Sequence, residues 1–148
     1  MTIRPREGSG REELVRMATA LWPDCAENDL EALFGLSPSE GIALVAERDN
    51  GGLGGFAEVG LRKYAEGCDT SPVAYLEGIW IDSDLRRTGV ASDLVQEAEG
   101  WTRASGIEEF ASDCQIDNFV SEAFHRAVGF IEARRNICWR RDVPPGSA

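Results

Sequence analysis

Apolar residues along this chain change spacing several times, and each change marks an element. Thr2-Ile3-Arg4 reads as a short first strand ending at Pro5. Leu14, Met17, Ala18, Leu21 and Trp22 then fall at helical intervals, predicting a helix over Glu12–Trp22 with Glu12 and Glu13 well placed in its first turn and Pro23 as its stop. Ala26, Leu30, Leu33 and Phe34 make one face of a second helix, Ala26–Phe34, which Gly35 is placed to close. Gly41–Arg48 and Leu53–Arg62 read as two strands joined by Asp49-Asn50-Gly51-Gly52, a strong signal for an antiparallel hairpin. Gly54-Gly55 would weaken an ordinary strand and points to a bulge or a close approach of backbone.

The chain is organised around Tyr75–Ala91. Tyr75-Leu76-Glu77-Gly78-Ile79-Trp80-Ile81 is a β-branched and aromatic run whose alternation puts Tyr75, Glu77, Ile79 and Ile81 on one face, so the strand carries one acid. After the turn Asp82-Ser83-Asp84, residues Val90, Ala91, Leu94, Val95, Ala98 and Trp101 recur at helical spacing; the helix begins at Gly89 and ends at Ser105-Gly106. A helix start leaves backbone N–H groups unpaired and carries a partial positive charge. A glycine entry flanked by Arg86 and Arg87 is therefore a ready seat for phosphate. Glu108–Asp113 reads as a strand with Phe110 buried, parallel to the preceding one through a right-handed crossover. Asn118–Val128 is the last helix, with Val120, Ala123, Phe124, Ala127 and Val128 apolar and Gly129 at its end. Phe130–Arg141 makes a closing strand, and Val143–Ala148 a disordered tail, leaving residues 1–142 as a single domain.

Composition narrows the function. At 148 residues the chain suits one sizeable core, and no run approaches the length of a membrane span. The start, Met1-Thr2-Ile3-Arg4-Pro5, has no apolar signal region, so a cytoplasmic location is the default. Cys25, Cys68, Cys114 and Cys138 are widely spaced beside a single histidine, which suits free thiols better than a zinc site or a disulfide frame. The 26 acidic against 15 basic residues give a net charge of −11, which argues against binding nucleic acid and favours cations.

One acid stands out. A core-facing strand rarely holds a glutamate, because burying an unpaired carboxylate is costly, so Glu77 is edge-facing, ion-paired or functional. Asp113 ends the next strand, and parallel pairing would bring it to the same end of the sheet as the Arg86 loop; a turn or capping role is the other possibility.

Arg86-x-x-Gly89-x-Ala91 after an apolar strand resembles the pyrophosphate loop of the GNAT superfamily of acetyl-CoA-dependent N-acetyltransferases. The order Tyr75–Ile81, Glu109-Phe110-Ala111-Ser112-Asp113, Asn118-x-x-Ser121 and His125-Arg126-Ala127-Val128-Gly129-Phe130 is similar to one branch, the bacterial aminoglycoside 6'-N-acetyltransferases. The resemblance spans nearly the whole chain. It implies that Arg86, Arg87, Thr88, Gly89, Val90, Ala91 and Ser92 hold the pyrophosphate, and that the main chain of Ile79, Trp80 and Ile81 bonds the pantetheine arm. Asn118, Ser121 and His125 would border the same arm, although Asn118 also suits a helix N-cap and His125 a packed helix histidine. Trp22, Tyr64, Glu77, Asp113 and Glu132 would line the acceptor site, with Glu77 taking the proton from the reacting amine; Trp22 also suits a core position. Relatives often place an acid two positions beyond Glu132, where this chain has Arg134. No general acid is assigned, since many relatives carry tyrosine where this chain has His125.

The resulting expectation is a mixed α/β GNAT fold: a twisted sheet, antiparallel on one side and parallel around the cofactor-binding strand, with helices on both faces. The implied activity is direct acetyl transfer from acetyl-CoA to the 6'-amine of a polycationic aminoglycoside, without a metal, in a homodimer that confers resistance. Acetylation of another small amine or polyamine, and non-catalytic binding of acetyl-CoA or antibiotic, are the alternatives.

Overall fold

The computed structural model describes residues 1–25 and 39–146. The helix expected over Ala26–Phe34 lies outside the described residues. The elements are β1 (Thr2–Pro5), α1 (Arg11–Leu21), β2 (Gly41–Glu47), β3 (Leu53–Arg62), β4 (Val73–Ile81), a 3-10 turn (Ser83–Leu85), α2 (Val90–Ala104), β5 (Phe110–Ala111) and α3 (Phe119–Ala127). The strands form one five-stranded sheet in the order β1-β2-β3-β4-β5. Neighbours are antiparallel as far as β4, and β4 pairs with β5 in parallel, as the strand–helix–strand order predicts.

Strand alternation explains why both faces of the sheet are covered. Leu44, Ala46, Ala57, Val59, Ala74 and Leu76 point one way and pack with Val90, Leu94 and Ala98 of α2. Val45, Leu53 and Phe56 point the other way and pack with Leu14, Met17 and Ala18 of α1. Each helix buries the stripe that its spacing defined, and the burial of apolar area on two faces supplies the driving force for the fold. Among the described residues no helix is long and apolar enough to cross a membrane.

Two bulges shape the sheet. Glu47 pairs with Leu53 and Ala46 with Gly55, so Gly54 is an extra residue in β3, as the glycine pair suggested. A side chain at Gly54 would drive into Leu85 and crowd the Arg48 guanidinium, which explains the requirement for glycine. The second bulge was not foreseen. Val59 pairs with Leu76 and Glu58 with Gly78, leaving Glu77 as the extra residue of β4. The strict alternation expected for this strand is therefore wrong beyond Glu77. Ile79 and Ile81 join Leu76 on the α2 face, whereas Tyr75 and Glu77 share the other face with Trp80. A bulge adds a residue without a partner and turns the strand, so the period of two restarts out of phase.

The strand expected over Glu108–Asp113 is confined to Phe110 and Ala111, paired with Ala74 and Tyr75. Beyond that point β4 bends at Glu77 and the two strands part. Phe130–Arg141 does not form the expected closing strand: the segment has no regular structure, and Ile131, Ile137 and Trp139 are exposed. Ile137 and Trp139 keep a strand-like spacing, but a strand needs a hydrogen-bonded neighbour, and β5 is too short to supply one. The segment is instead tied to the loop after β3, where Arg134 donates to Glu66 at 2.8 Å and Ala133 packs on Gly67.

Candidate active site

The face of β3 and β4 under the end of α1 gathers an acidic cluster. Phe56, Glu58, Gly60 and Arg62 alternate onto this face of β3, opposite Trp80, Gly78 and Tyr75 of β4. Glu77, freed from the ladder by the bulge, lies across Gly60, where an added Cβ would stand 3.2 Å from its Oε1. Arg62 donates to it twice, Nε to Oε1 at 2.9 Å and Nη2 to Oε2 at 2.7 Å. The same guanidinium stacks 3.5 Å above the Tyr75 ring. Tyr75 in turn donates its hydroxyl to Asp113, and burial together with that bond pushes its phenol well above the usual range. Asp113, expected from strand pairing at the end of the sheet that holds the Arg86 loop, bonds Tyr75 and is joined through it and Arg62 to Glu77.

Trp22 borders this cluster. Its ring lies over Gly78, where any side chain would collide with it, and meets Phe56 edge-on at 6.0 Å. The core role and the substrate-side role weighed for Trp22 are compatible, because one edge packs on Phe56 while the side chain stays half exposed.

A second region faces the gap between β4 and β5. β5 pairs only as far as Tyr75, so among the described residues the backbone of β4 beyond it has no strand neighbour on that edge, and only the Ser112 hydroxyl reaches across, donating to the Leu76 carbonyl at 3.4 Å. Beyond the end of β4, α2 starts at Gly89, which takes a left-handed conformation (φ 91°) and offers no side-chain cap. Arg87 is also left-handed, at φ 64°. The first-turn N–H groups are left to an outside acceptor, and open space surrounds the Gly89 Cα. Arg86 is held in place by donating Nε to the Ile81 carbonyl at 3.0 Å and by stacking on Trp80, and Thr88 donates to the Leu85 carbonyl. The Ile81 carbonyl is therefore already engaged, and Trp80, in step with Asp82, turns its backbone toward β3, which leaves Ile79 as the backbone partner open to an extended ligand on the free edge. A free strand edge leading to an uncapped helix start fits a long anionic ligand such as acetyl-CoA, with its diphosphate at Gly89.

On the far side of the gap, Asn118 caps α3 by accepting from the Ser121 N–H at 3.0 Å. His125 lies 2.7 Å from both the Ser121 carbonyl and the Ser112 hydroxyl, so it ties α3 to the end of β5. Two expected acceptor residues stand apart from the cluster. Tyr64 is exposed beside Glu66, and Glu132 accepts from Arg135 in the irregular C-terminal segment.

Sequence reading missed Glu58 and Arg62. Glu58 carries the same signal as Glu77, an acid inside an apolar strand, and it is more deeply buried, at 2% exposure. Burial first, and then the negative charge of Glu77, push its carboxyl up to about 7. Arg62 had no local signal, because its partner lies on another strand. Asp82 is a separate hub below the site, accepting from Arg16 at 3.0 Å, Arg48 at 3.1 Å and the Trp80 indole at 3.0 Å.

The comparisons with known proteins agree with this geometry. The sequence model of the acetyltransferase (GNAT) family matches residues 9–130. A protein of Klebsiella aerogenes, aminoglycoside N(6')-acetyltransferase type 1, is 39% identical over 146 residues, covering 95% of this chain and 96% of its own. The enzyme of the same name from Acinetobacter genomosp. 13 is 37% identical, covering 97% of this chain and 99% of its own. Among solved structures, the aminoglycoside antibiotic 6'-N-acetyltransferase AAC(6')-Ih from Acinetobacter baumannii superposes with a TM-score of 0.88 at 33% identity, covering 97% of this chain and 99% of its own. AAC(6')-Iy, in complex with the bisubstrate analogue CoA-S-monomethyl-acetylneamine, gives 0.86 at 32% identity, covering 96% and 98%. The parted strands, the glycine at the start of α2 and a match that runs across most of the chain place this protein in the GNAT family of acetyltransferases.

Proposed function

We propose that this protein transfers the acetyl group of acetyl-CoA to the 6'-amine of aminoglycoside antibiotics, by direct attack in a ternary complex. The observation that carries the reading is the placement of Glu77, a carboxylate displaced from its strand ladder by a bulge, between an acidic acceptor cluster and the free edge of β4. A polycationic substrate is drawn to Glu77 and Asp113, and the net charge of −11 favours its approach. Glu77 orients the reacting ammonium and receives its proton, leaving a neutral nitrogen to attack the thioester carbonyl. Backbone N–H groups on the edge of β4 stabilise the oxyanion, and those at the start of α2 hold the diphosphate. Trp22 borders the sugar rings, Asn118 and Ser121 border the pantetheine arm, and the activity confers resistance by removing a positive charge from the drug.

The test is release of CoA thiol from acetyl-CoA with an aminoglycoside bearing a 6'-amine, against a close analogue bearing a 6'-hydroxyl. Release with the amine alone supports both the reaction and its position. Equal release from both means that another amine is modified, and no release from either overturns the substrate assignment in favour of other small amines.

We also propose a homodimer. Ile131, Ile137 and Trp139 expose apolar area in a segment with strand-like spacing and no strand partner among the described residues, and a second copy would supply the missing neighbour. Sedimentation at micromolar concentration should give twice the chain mass; a monomer at all concentrations would refute this.

A further inference from the structure

The acceptor half of the site holds one group that the chemistry above leaves without a task. Glu58 lies on the α1 face of β3, 2% exposed, and its Oε2 has no hydrogen-bond partner among the described residues. The sheet around it is cut back at two glycines. Gly60, the next residue on that face, leaves the space that the Glu77 carboxylate occupies. Gly78, the cross-strand partner of Glu58, leaves the space that the Trp22 ring fills. Glu58 is therefore enclosed between the proposed catalytic carboxylate and the proposed substrate-side aromatic. A leucine at this position would avoid the cost of burying an unpartnered carboxyl.

Among the described residues, β4 contributes Glu77 to the surroundings of Glu58; β2 contributes Ala43, in register, with Arg6 beyond it bonded to the Ala43 carbonyl; and the end of α1 contributes Leu21 and Trp22 over Gly78. Arg62, on its own strand, spends both of its side-chain bonds on Glu77. Burial and the negative charge of Glu77 together put the Glu58 carboxyl at about 7. A group that exchanges a proton near neutrality, placed behind a carboxylate that must pass one on, is well matched to proton transfer.

We propose that Glu58 is a proton-holding positioning residue of the acceptor site, which receives through Glu77 the proton that the substrate ammonium sheds. The inference rests on the reading of this cluster as the amine site. An N–H bond of the ammonium breaks and its electron pair stays on nitrogen. The proton passes to Glu77 and from Glu77 to ionised Glu58, whose O–H bond forms. The neutral nitrogen bonds the thioester carbonyl carbon, the C–S bond breaks, and the second nitrogen proton leaves with the thiolate as thiol. Glu58 returns its proton to solvent when the amide departs, so that ammonium and thioester become amide, thiol and one proton. Approach of a polycation favours the ionised form of Glu58 and readies it for this task.

The experiment is the pH profile of thiol release for wild type, Glu58→Gln and Glu58→Asp with an aminoglycoside bearing a 6'-amine. Wild type should lose kcat along an acid limb near neutrality. Glu58→Gln should lower kcat by roughly 100-fold, keep both KM values within about threefold and abolish the limb. Glu58→Asp should recover part of the rate. A folded Glu58→Gln with wild-type kcat and an unchanged limb overturns the proposal, as does a rise in KM with kcat unchanged. If Glu58→Gln does not fold, the carboxyl carbon of Glu58 is followed by NMR in the intact protein: titration near neutrality that falls in Glu77→Gln supports the proposal, and titration near the ordinary glutamate value overturns it. Absence of thiol release from wild type at every pH defeats the substrate reading itself, before any substitution is made, and the proposal falls with it.

Discussion

Arg62 grips Glu77 with two parallel hydrogen bonds, 2.9 and 2.7 Å long, while its guanidinium lies flat on Tyr75 at 3.5 Å. The planar fork fixes the direction of a carboxylate that the bulge would otherwise leave free to turn. Glu77→Gln should lower kcat/KM for the aminoglycoside by roughly 100-fold without changing CoA affinity. Arg62→Lys keeps the charge but loses the fork and the stacking, and about a tenfold fall in kcat/KM is expected. Steady-state thiol release and calorimetric titration with CoA check both.

Gly89 should report on the other half of the site. At φ 91° an alanine is strained by about 1–2 kcal/mol, yet no atom of the protein lies near the added methyl. Gly89→Ala should therefore cost CoA affinity about tenfold through the distorted helix start, with only a small fall in melting temperature. A large loss of stability with intact CoA binding would refute a ligand role for this turn.

Asp82 gives an acid limb to stability. Burial works to raise its carboxyl, but hydrogen bonds from Arg16, Trp80 and Arg48 overcome it and hold the group at about 2. A carboxyl depressed in the folded state stabilises above its unfolded value near 4, and that contribution disappears as pH falls from about 4 to about 2. Denaturant titrations should show Asp82→Asn less stable than wild type by about 1–2 kcal/mol at pH 7, with the difference shrinking below pH 4.

Glu58 has the opposite sign. Its carboxyl is raised in the folded state, so wild type keeps full stability below about pH 4 and loses it as pH climbs through about 7. Glu58→Gln should match or exceed wild-type stability at pH 8, by up to about 3 kcal/mol, with the advantage vanishing at pH 4. Equal pH dependence in the two proteins would mean that Glu58 titrates as an ordinary exposed glutamate.

The sequence by itself determined what local chemistry can specify. The apolar periods of Leu14–Leu21 and Val90–Ala98 defined which helix faces are buried, Asp49-Asn50-Gly51-Gly52 defined the hairpin, and Gly89 defined the start of α2. Spacing, turn preference and helix-end electrostatics act over a few residues and leave a readable pattern. Tertiary structure alone decided what depends on pairing between distant strands. The bulge that frees Glu77 exists because Leu76 and Gly78 take neighbouring partners on β3, and it moved Ile79 and Ile81 to the opposite face from the one that alternation gave them. Arg62 on Glu77, Tyr75 on Asp113 and the burial of Glu58 follow from that register. The closing strand failed to form because Phe130–Arg141 has the composition of a strand, while β5, at the edge of the sheet, is only two residues long. A residue's own identity sets which contacts it can make, and only the assembled sheet sets which of them are offered.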